Sequence, residues 1–141
     1  MTRSGSRPPL RVPVREEADV AVARGRARAL ALGEGFPEAR AAAVATAVTE
    51  VARNIVVHAG VGEILLEAFE EGGRRGILVV ASDGSPGIRD VEAALQDGFS
   101  TAHGLGLGLP SARRLMDEFT LVSAVGRGTT VIMRKWAHAA A

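Results

Sequence analysis

The sequence predicts an α+β fold in which one mostly antiparallel sheet carries its helices on one face. Helix-like and strand-like segments are grouped along the chain, in the order β-α-α-β-β-α-loop-α-β-β, whereas a parallel sheet would need regular alternation. Two glycine-centred turns, Gly72-Gly73 and Gly126-Arg127-Gly128, each separate a pair of short apolar runs, which is typical of hairpins. With 141 residues, the chain is long enough for one domain with a sizeable core.

The first half of the chain predicts an edge strand, two helices and the first hairpin. Residues 10–14 alternate in polarity and contain a proline, which suits a strand at a sheet edge. The alanine-rich segment 16–32 favours a helix. The most regular helical pattern covers residues 37–59, where apolar side chains recur at spacings of three and four. Residues 63–69 and 76–82 are then the two strands of the hairpin.

The second half predicts two shorter helices and the second hairpin. Residues 91–96 and 110–118 favour helices on either side of a glycine-rich segment, and residues 119–125 and 129–135 favour strands. The expected organisation is a flexible leader (1–9), a single domain (10–136) and a frayed tail (137–141).

Composition excludes several classes of function. The chain has no cysteine, which removes disulfide scaffolds, thiol catalysis and cysteine-based metal sites. The 17 basic and 16 acidic residues nearly balance, and aromatic residues make up only 4%, so neither a basic nucleic-acid surface nor a base-stacking platform is expected. No stretch has the length and apolarity of a signal peptide or a membrane span, so we expect a cytoplasmic protein that does not engage a membrane.

The long second helix carries a pair of polar residues that could do chemistry. Glu50 and Asn54 are four residues apart and therefore share a helix face, which His58 continues. A carboxylate can accept a proton from a nucleophile, and a carboxamide oxygen can ligate Mg²⁺. Polar pairs at this spacing are also common on solvated helix faces, so the pair alone leaves both interpretations open.

Three further features could belong to a ligand site. Asp83 follows an apolar strand directly, where its carboxylate could accept hydrogen bonds from an exocyclic amine, although an Asp-Gly turn explains it equally well. The glycines at every second position from Gly104 to Gly108 precede a helix and could expose backbone N–H groups to phosphates, or form a mobile loop. Thr129 begins the last predicted strand, where its hydroxyl could contact a base.

In this order along the chain, these features resemble the conserved boxes of the GHKL superfamily, which includes gyrase B, Hsp90, histidine kinases and MutL. The resemblance covers about residues 10–136 and implies a Bergerat fold, a two-layer α/β sandwich that binds ATP. Residues 50–54 (EVARN), 96–101 (QDGFST) and 106–119 (GLGLPSARRLMDEF) more closely resemble the RsbT-like stressosome switch serine/threonine kinases, which are related to the RsbW and SpoIIAB anti-sigma factors.

The resemblance implies a role for each matching residue. Glu50 is the general base that deprotonates the acceptor serine, and Arg53 holds phosphate or orients Glu50. Asn54 ligates the Mg²⁺ that bridges the phosphates. The adenine amino group is bound by Asp83 with support from Thr129. The glycines that approach the nucleotide are Gly87 at the adenine and Gly104, Gly106 and Gly108 in the lid over the phosphates. The implied cofactors are therefore ATP and Mg²⁺.

Two positions depart from the family pattern. The loop after Asp83 usually carries a second glycine where this chain has Ser85, and Gly84 stands one place early. A serine forced to positive φ there would cost about 1 kcal/mol and weaken nucleotide binding. His58 stands where switch kinases often carry an aromatic residue, and the Asn-x-x-x-His spacing is typical of the anti-sigma branch. A helix-end histidine bonded to a nearby carbonyl is the simpler interpretation of His58.

The resemblance leads to one principal function and two alternatives. The principal one is an ATP-dependent protein serine/threonine kinase that phosphorylates a STAS-domain antagonist or stressosome scaffold protein, in a partner-switching pathway that ends on a PP2C-type phosphatase. The first alternative is an anti-sigma factor that sequesters a sigma factor, which His58 favours. The second is a nucleotide-binding module with little or no kinase activity, which Ser85 favours.

Overall fold

The computed structural model describes residues 2–4, 8–84, 109–123 and 128–139. The helix predicted at residues 91–96 and the predicted site residues Ser85, Gly87, Gly104, Gly106 and Gly108 lie outside these ranges. In the described residues the strands are β1 (Thr2–Ser4), β2 (Leu10–Val14), β3 (Gly62–Glu71), β4 (Arg74–Asp83), β5 (Glu118–Ser123) and β6 (Thr129–Trp136). The helices are α1 (Glu17–Gly33), α2 (Glu38–Asn54), which continues into a π-helical turn (Ile55–Ala59), and α3 (Leu109–Leu115).

The strands form one antiparallel sheet with the spatial order β1-β3-β4-β6-β5. β2 shares the outer edge of β3 with β1 and pairs with the other end of that strand. The turn between β3 and β4 consists of Gly72 and Gly73, whose φ angles of 60° and 80° suit the two central positions of a type I′ hairpin. The predicted hairpins and the predicted α+β class are therefore confirmed.

The core lies between the sheet and one layer of helices. Alternate residues of the central strands face this layer and are fully buried, as Ile64, Leu66, Ile77, Val79 and Met133 show. The apolar stripe of α2 meets them; its buried members are Ala41, Val44, Val48, Val51 and Ile55. The predicted stripe is thus the helix face that packs on the sheet, and α1 and α3 pack against α2 on the same side.

Three boundary predictions were wrong. Thr2–Ser4 is a strand and not part of a flexible leader, because β3 is ten residues long and its far end offers unpaired backbone groups beyond β2. Ala137 is not frayed: it is buried and its N–H donates to the carbonyl oxygen of Arg75 at 2.9 Å. The helix predicted to end at residue 118 ends at Leu115, because β5 begins at Glu118.

Candidate functional site

Four residues are neighbours across the sheet and form one row at the same end of strands β3, β4, β6 and β5. Two of them, Asp83 and Thr129, are predicted site residues, and the other two are Gly62 and Ser123. Gly62 of β3 stands opposite Asp83 of β4, Asp83 stands opposite Thr129 of β6, and Thr129 stands opposite Ser123 of β5. Residues that are opposite in an antiparallel pair have neighbouring side chains on the same face. The register therefore places Asp83 beside Thr129, as the sequence predicted for two groups that bind one ligand.

The row faces the helices. In β4 the buried residues Ile77, Val79 and Ala81 alternate with less buried ones, and Asp83 continues their series. Its side chain is half-buried, at the point where the core meets solvent. A carboxylate in this position is partly shielded from bulk water and partly accessible from solvent.

Gly128 explains how Thr129 reaches its position. The residue is buried and has φ of +79°, a backbone conformation that favours glycine. A β-carbon at position 128 would overlap the carbonyl oxygen of Asp83 and would lie 3.3 Å from the Cα of Gly84. The glycine thus allows the chain entering β6 to lie directly against the end of β4.

Ser123 fixes the hydroxyl of Thr129. Its Oγ donates to the carbonyl oxygen of Gly128 at 3.2 Å and lies 2.9 Å from Oγ1 of Thr129. Ser123 was missed by the sequence analysis because no spacing along the chain relates it to Thr129. Only the register between β5 and β6 makes them neighbours.

Gly62 lets the end of the second helix approach this row. A β-carbon at position 62 would lie 2.6 Å from Cγ2 of Ile55 and 2.6 Å from the carbonyl oxygen of Ser82. Any other residue there would push the helix end away from the strand that carries Asp83. The close contacts of Gly62 give it a positioning role.

The helix end itself is a π-helical turn. It closes with a hydrogen bond from the Gly60 N–H to the Ile55 carbonyl oxygen at 2.8 Å, and it packs against β3 and β4. π-helical turns are rare and are frequently found at functional sites. The turn carries His58 towards the row, one helical turn beyond Asn54.

Glu50, Asn54 and His58 follow one flank of this helix and all three are half-buried. The structure records no hydrogen bond or ion pair from any of the three to the residues it describes. The predicted sharing of a helix face by Glu50 and Asn54 is confirmed, and their chemical roles remain predictions.

His58 is the most unusual of the three. Its Nε2 atom is buried and has no hydrogen-bond partner among the described residues, so this nitrogen gives no support to the interpretation of His58 as a helix end bonded to a carbonyl. Burial lowers the pKa of His58, and the nearby carboxylate of Asp83 opposes that shift.

Arg53 does not contact Glu50. It precedes Asn54 by one residue, so it lies about 100° around the helix on the side that faces α1. There its Nη2 lies 3.3 Å from Oε1 of Glu17. The proposed orientation of Glu50 by Arg53 thus has no support in the structure, because the guanidinium is held at the α1–α2 interface; a role towards phosphate stays a prediction.

A polar clamp holds the helix that follows the predicted lid. Asp117 accepts hydrogen bonds from Nη2 of Arg40 at 2.8 Å and from the N–H of Trp136 at 2.9 Å. The buried Lys135 donates from Nζ to the carbonyl oxygen of Leu115, the last residue of α3, at 2.5 Å. The pattern LMDEF, singled out in the sequence, therefore anchors the C-terminal end of α3 to β6 and α2.

The charges of the clamp influence one another. Burial is the largest influence on Asp117 and acts to raise its pKa, but the Trp136 hydrogen bond and the positive charges of Lys135 and Arg40 together lower it. Burial also lowers the pKa of Lys135, although Asp117 opposes this. The clamp lies at the end of β6 opposite to Thr129, so it belongs to the scaffold and not to the ligand row.

A comparison with known families decides the identity of this arrangement. Residues 12–135 match the family model described as "Histidine kinase-like ATPase domain". The chain belongs to the histidine kinase-like ATPase family. The predicted superfamily and fold are therefore confirmed.

Relatives of this histidine kinase-like ATPase domain fall into two groups. It is 43% identical over 125 residues to the serine/threonine-protein kinase RsbT of Bacillus subtilis (strain 168), an alignment that covers 89% of this chain and 94% of that protein. It is 35% identical over 99 residues to the anti-sigma F factor of Thermoanaerobacter sp. (strain X514), which covers 66% and 68% of the two chains. The anti-sigma F factor of Caldanaerobacter subterraneus subsp. tengcongensis is 36% identical over 99 residues, with the same two shares.

The chemistry of the described residues fits a nucleotide with its cation. No three His, Asp or Glu side chains in the described ranges converge to hold a metal ion by themselves. Mg²⁺ that binds together with a nucleotide does not require such a cluster, because it keeps several waters and is bound mainly through the phosphates with one or two protein oxygens. Asn54 offers such an oxygen, and the unpartnered Nε2 of His58 is a polar atom that a ligand could satisfy. None of the helices described is long and apolar enough to cross a membrane.

Proposed function

We propose that this protein is an ATP-dependent serine/threonine kinase of the switch type, which phosphorylates a STAS-domain partner. The observation that carries the proposal is the pairing of Asp83 with Thr129 in one row, with Glu50 and Asn54 half-buried on one flank of the adjoining helix. The relative that matches over the greater length is itself called a serine/threonine-protein kinase.

Each side chain has a definite task in this proposal. Asp83 accepts hydrogen bonds from the adenine amino group, and Thr129, with its hydroxyl fixed by Ser123, supports that contact. Asn54 offers its carboxamide oxygen to the cation. Bound ATP with Mg²⁺ supplies the phosphoryl group and the charge neutralisation that its transfer requires.

Glu50 acts on the acceptor protein. As the serine hydroxyl oxygen forms its bond to the γ-phosphorus, Glu50 takes the hydroxyl proton, and the bond from the γ-phosphorus to the bridging oxygen breaks to leave ADP. Phosphoryl transfer depends mainly on positioning and charge stabilisation, so one base and one cation ligand on adjacent turns of a rigid helix are sufficient. The partner is a STAS-domain antagonist or stressosome scaffold protein, and a PP2C-type phosphatase responds to the switch in the cytoplasm.

Phosphate transfer to a candidate substrate tests the kinase proposal. The protein is incubated with radiolabelled ATP, Mg²⁺ and a STAS-domain protein encoded beside it, and the label is mapped. We expect label on a serine or threonine of the STAS protein, and its loss with Glu50→Gln. Glu38→Gln is the matched control, because Glu38 is an exposed residue of the same helix that only pairs with Arg28. Absence of label with the natural sequence would reject the kinase proposal.

A second candidate function is that of an anti-sigma factor. The anti-sigma F relatives and the Asn54-x-x-x-His58 spacing favour it. The tagged protein would then recover a sigma factor from its own cells, and an unphosphorylated STAS protein would displace that sigma factor. Recovery of a phosphatase in place of a sigma factor would favour the kinase switch.

A further inference from the structure

We propose that the outward face of α1 is a docking surface for an amphipathic helix of a partner protein, in which acidic side chains flank the apolar face. We call this face the α1 stripe; its members are Ala18, Val22, Gly25, Ala29 and Leu32. The inference goes beyond the proposed kinase activity, since the α1 stripe contains none of the residues assigned to the nucleotide.

The first argument is that α1 has a second apolar face, which points away from the core. The stripe residues recur at spacings of four and three, so they lie on one side of the helix, where each residue advances by about 100°. All of them are exposed, and Val22 and Leu32 keep 44% and 38% of their surface accessible. The buried residues of α1 lie on the opposite side; they are Val20, Ala23, Ala27, Leu30 and Ala31. A surface helix usually has one apolar face, so the second one is typical of a surface that another molecule covers.

The second argument is the glycine in the middle of the α1 stripe. Glycine within a helix is less favourable than alanine, because its backbone loses more conformational freedom on folding. No described atom lies within 4 Å of a β-carbon built on Gly25, so packing within the described residues does not require glycine there. Together with Ala29, one turn further on, it forms a shallow depression in the helix surface. The backbone of a second helix can approach closely at such a depression, because the distance between packed helices is set by the side chains at the contact.

The third argument is the charge on both flanks of the α1 stripe. The charged residues of α1 within the range 20–33 are Arg24, Arg26 and Arg28. All three are exposed, and the helix rotation places Arg26 on one flank and Arg28 on the other. Arg28 also pairs with Glu38 at 2.6 Å, but both side chains remain substantially exposed. A second copy of this chain would bring like charges together at this face, whereas acidic side chains on a partner helix would pair with the arginines and fix its orientation.

The side chains of the α1 stripe favour a protein helix over a membrane surface as the occupant. Helices that lie in a membrane interface bury large side chains, among which Trp, Phe and Leu are typical. In the α1 stripe only Val22 and Leu32 are large, and the positions between them are glycine and alanine. Such a surface fits the close packing of one helix on another.

The first test identifies the segment that covers the α1 stripe. The photoreactive amino acid benzoylphenylalanine replaces Gly25 or, as the matched control, Ala42, which is an exposed small residue of α2. The protein is irradiated in its own cells, and the crosslinked segment is mapped by mass spectrometry. We expect position 25, and not position 42, to crosslink to a helical segment of another protein in which acidic residues flank an apolar face. A crosslink to a second copy of this chain, to lipid or to a segment without acidic residues, or no crosslink from position 25, would overturn the inference.

The second test measures the affinity of a synthetic peptide of the mapped segment for the natural protein, Gly25→Glu and Ala42→Glu. Gly25→Glu should fold, because the space around position 25 is open and glutamate favours a helix more than glycine does. We expect Gly25→Glu to weaken binding at least about tenfold, since it places a negative charge against an apolar face with acidic flanks, and Ala42→Glu to leave it unchanged. Added salt should also weaken binding by the natural protein.

Equal affinities of Gly25→Glu and the natural protein for the peptide would overturn the inference. The affinity for ATP should be the same in both proteins, because the α1 stripe is separate from the Asp83 row. The docking surface and the kinase proposal can therefore fail independently of each other.

Discussion

Asp83 and Thr129 face each other across the β4–β6 ladder, and Gly128, which precedes Thr129, lies so close to Asp83 that a β-carbon would overlap its carbonyl oxygen. The two side chains proposed to read the base are thus held by the backbone contact beside them. The glycine determines how near the two strand ends can lie, because any β-carbon at this position would overlap Asp83.

Replacing Gly128 therefore affects both stability and nucleotide binding. Gly128→Ala introduces an unfavourable positive φ and a steric overlap, and we expect the free energy of unfolding to fall by about 3 kcal/mol or more. Gly73→Ala is the matched control, since Gly73 has φ of +80° but open space around its would-be β-carbon, and it should cost only about 1 kcal/mol. Urea denaturation of the two variants measures the difference. Equal losses of unfolding free energy in the two variants would show that the close contact between position 128 and Asp83 does not affect stability.

The Asp117 clamp gives a stability prediction at the other end of β6. Asp117→Ala removes the acceptor for Arg40 and for the Trp136 N–H and leaves the buried Lys135 without its counter-charge. The Asp117 side chain is 33% exposed, but its loss leaves the buried Lys135 and the half-buried Trp136 N–H without this acceptor, so we expect a loss of about 1–3 kcal/mol.

A neighbouring carboxylate supplies the control for this change. Glu118 pairs with Arg134, and the two side chains are 51% and 42% exposed, so Glu118→Ala should cost less than about 1 kcal/mol. Thermal unfolding of both variants checks the contrast. If Asp117→Ala proved as mild as Glu118→Ala, the clamp would be an ordinary surface pair.

Much of this architecture could be predicted from local pattern, and the remainder could not for a physical reason. Helix period, glycine turns and apolar runs are properties of neighbouring residues, which is why the α2 stripe and the Gly72–Gly73 turn were found. Contacts between strands, in contrast, depend on residues that are far apart along the chain. Ser123 beside Thr129 and the pairing of β1 with the far end of β3 depend on register, which no spacing along the chain encodes.

The same limit applies to side-chain partners. The sequence placed Arg53 next to Asn54 and the family motif connected it with Glu50, yet the helix rotation directs it to Glu17 of α1. The role of Gly62 is likewise not encoded in its neighbours along the chain, because only its contact with Ile55 shows that it sets the distance from helix to sheet.

The Arg53–Glu17 pair should be worth little to stability. Both side chains are at least half exposed, with 50% and 66% of their surface accessible, so Arg53→Ala should change the free energy of unfolding by less than about 1 kcal/mol. The effect of Arg53→Ala on phosphate transfer to the acceptor protein distinguishes two roles for Arg53. A large loss of transfer with unchanged stability would show that Arg53 leaves Glu17 to contact phosphate, whereas unchanged transfer would confine it to the α1–α2 interface.

Stability should depend on pH through His58. Its pKa is lowered in the folded protein from the ordinary value of 6.5, so in the interval below 6.5 the unfolded chain binds more protons than the folded one. The free energy of unfolding should therefore fall as the pH drops through this interval, by at most about 1.4 kcal/mol per pH unit for one group.

His58→Phe removes this titration and should flatten that part of the profile. Denaturant unfolding between about pH 7.5 and about pH 5 measures both proteins in the range where histidine titrates. Asp117, whose pKa is lowered, does not contribute within this range, because its stabilisation is lost only as the pH falls towards and below 3.8. If the free energy of unfolding depended on pH in the same way in the natural protein and in His58→Phe, the assignment of this pH dependence to His58 would be contradicted.

The most direct test of the whole account is calorimetric titration of ATP with Mg²⁺ into the natural protein and into Asp83→Asn, with thermal unfolding to confirm that the variant is folded. Asparagine keeps the size of the side chain, but it replaces one carboxylate oxygen and removes the negative charge of the group that is proposed to accept a hydrogen bond from the adenine amino group. The account predicts that the natural protein binds ATP and that Asp83→Asn binds it at least about tenfold more weakly. Equal binding by the two folded proteins would contradict the placement of the nucleotide at the Asp83–Thr129 row.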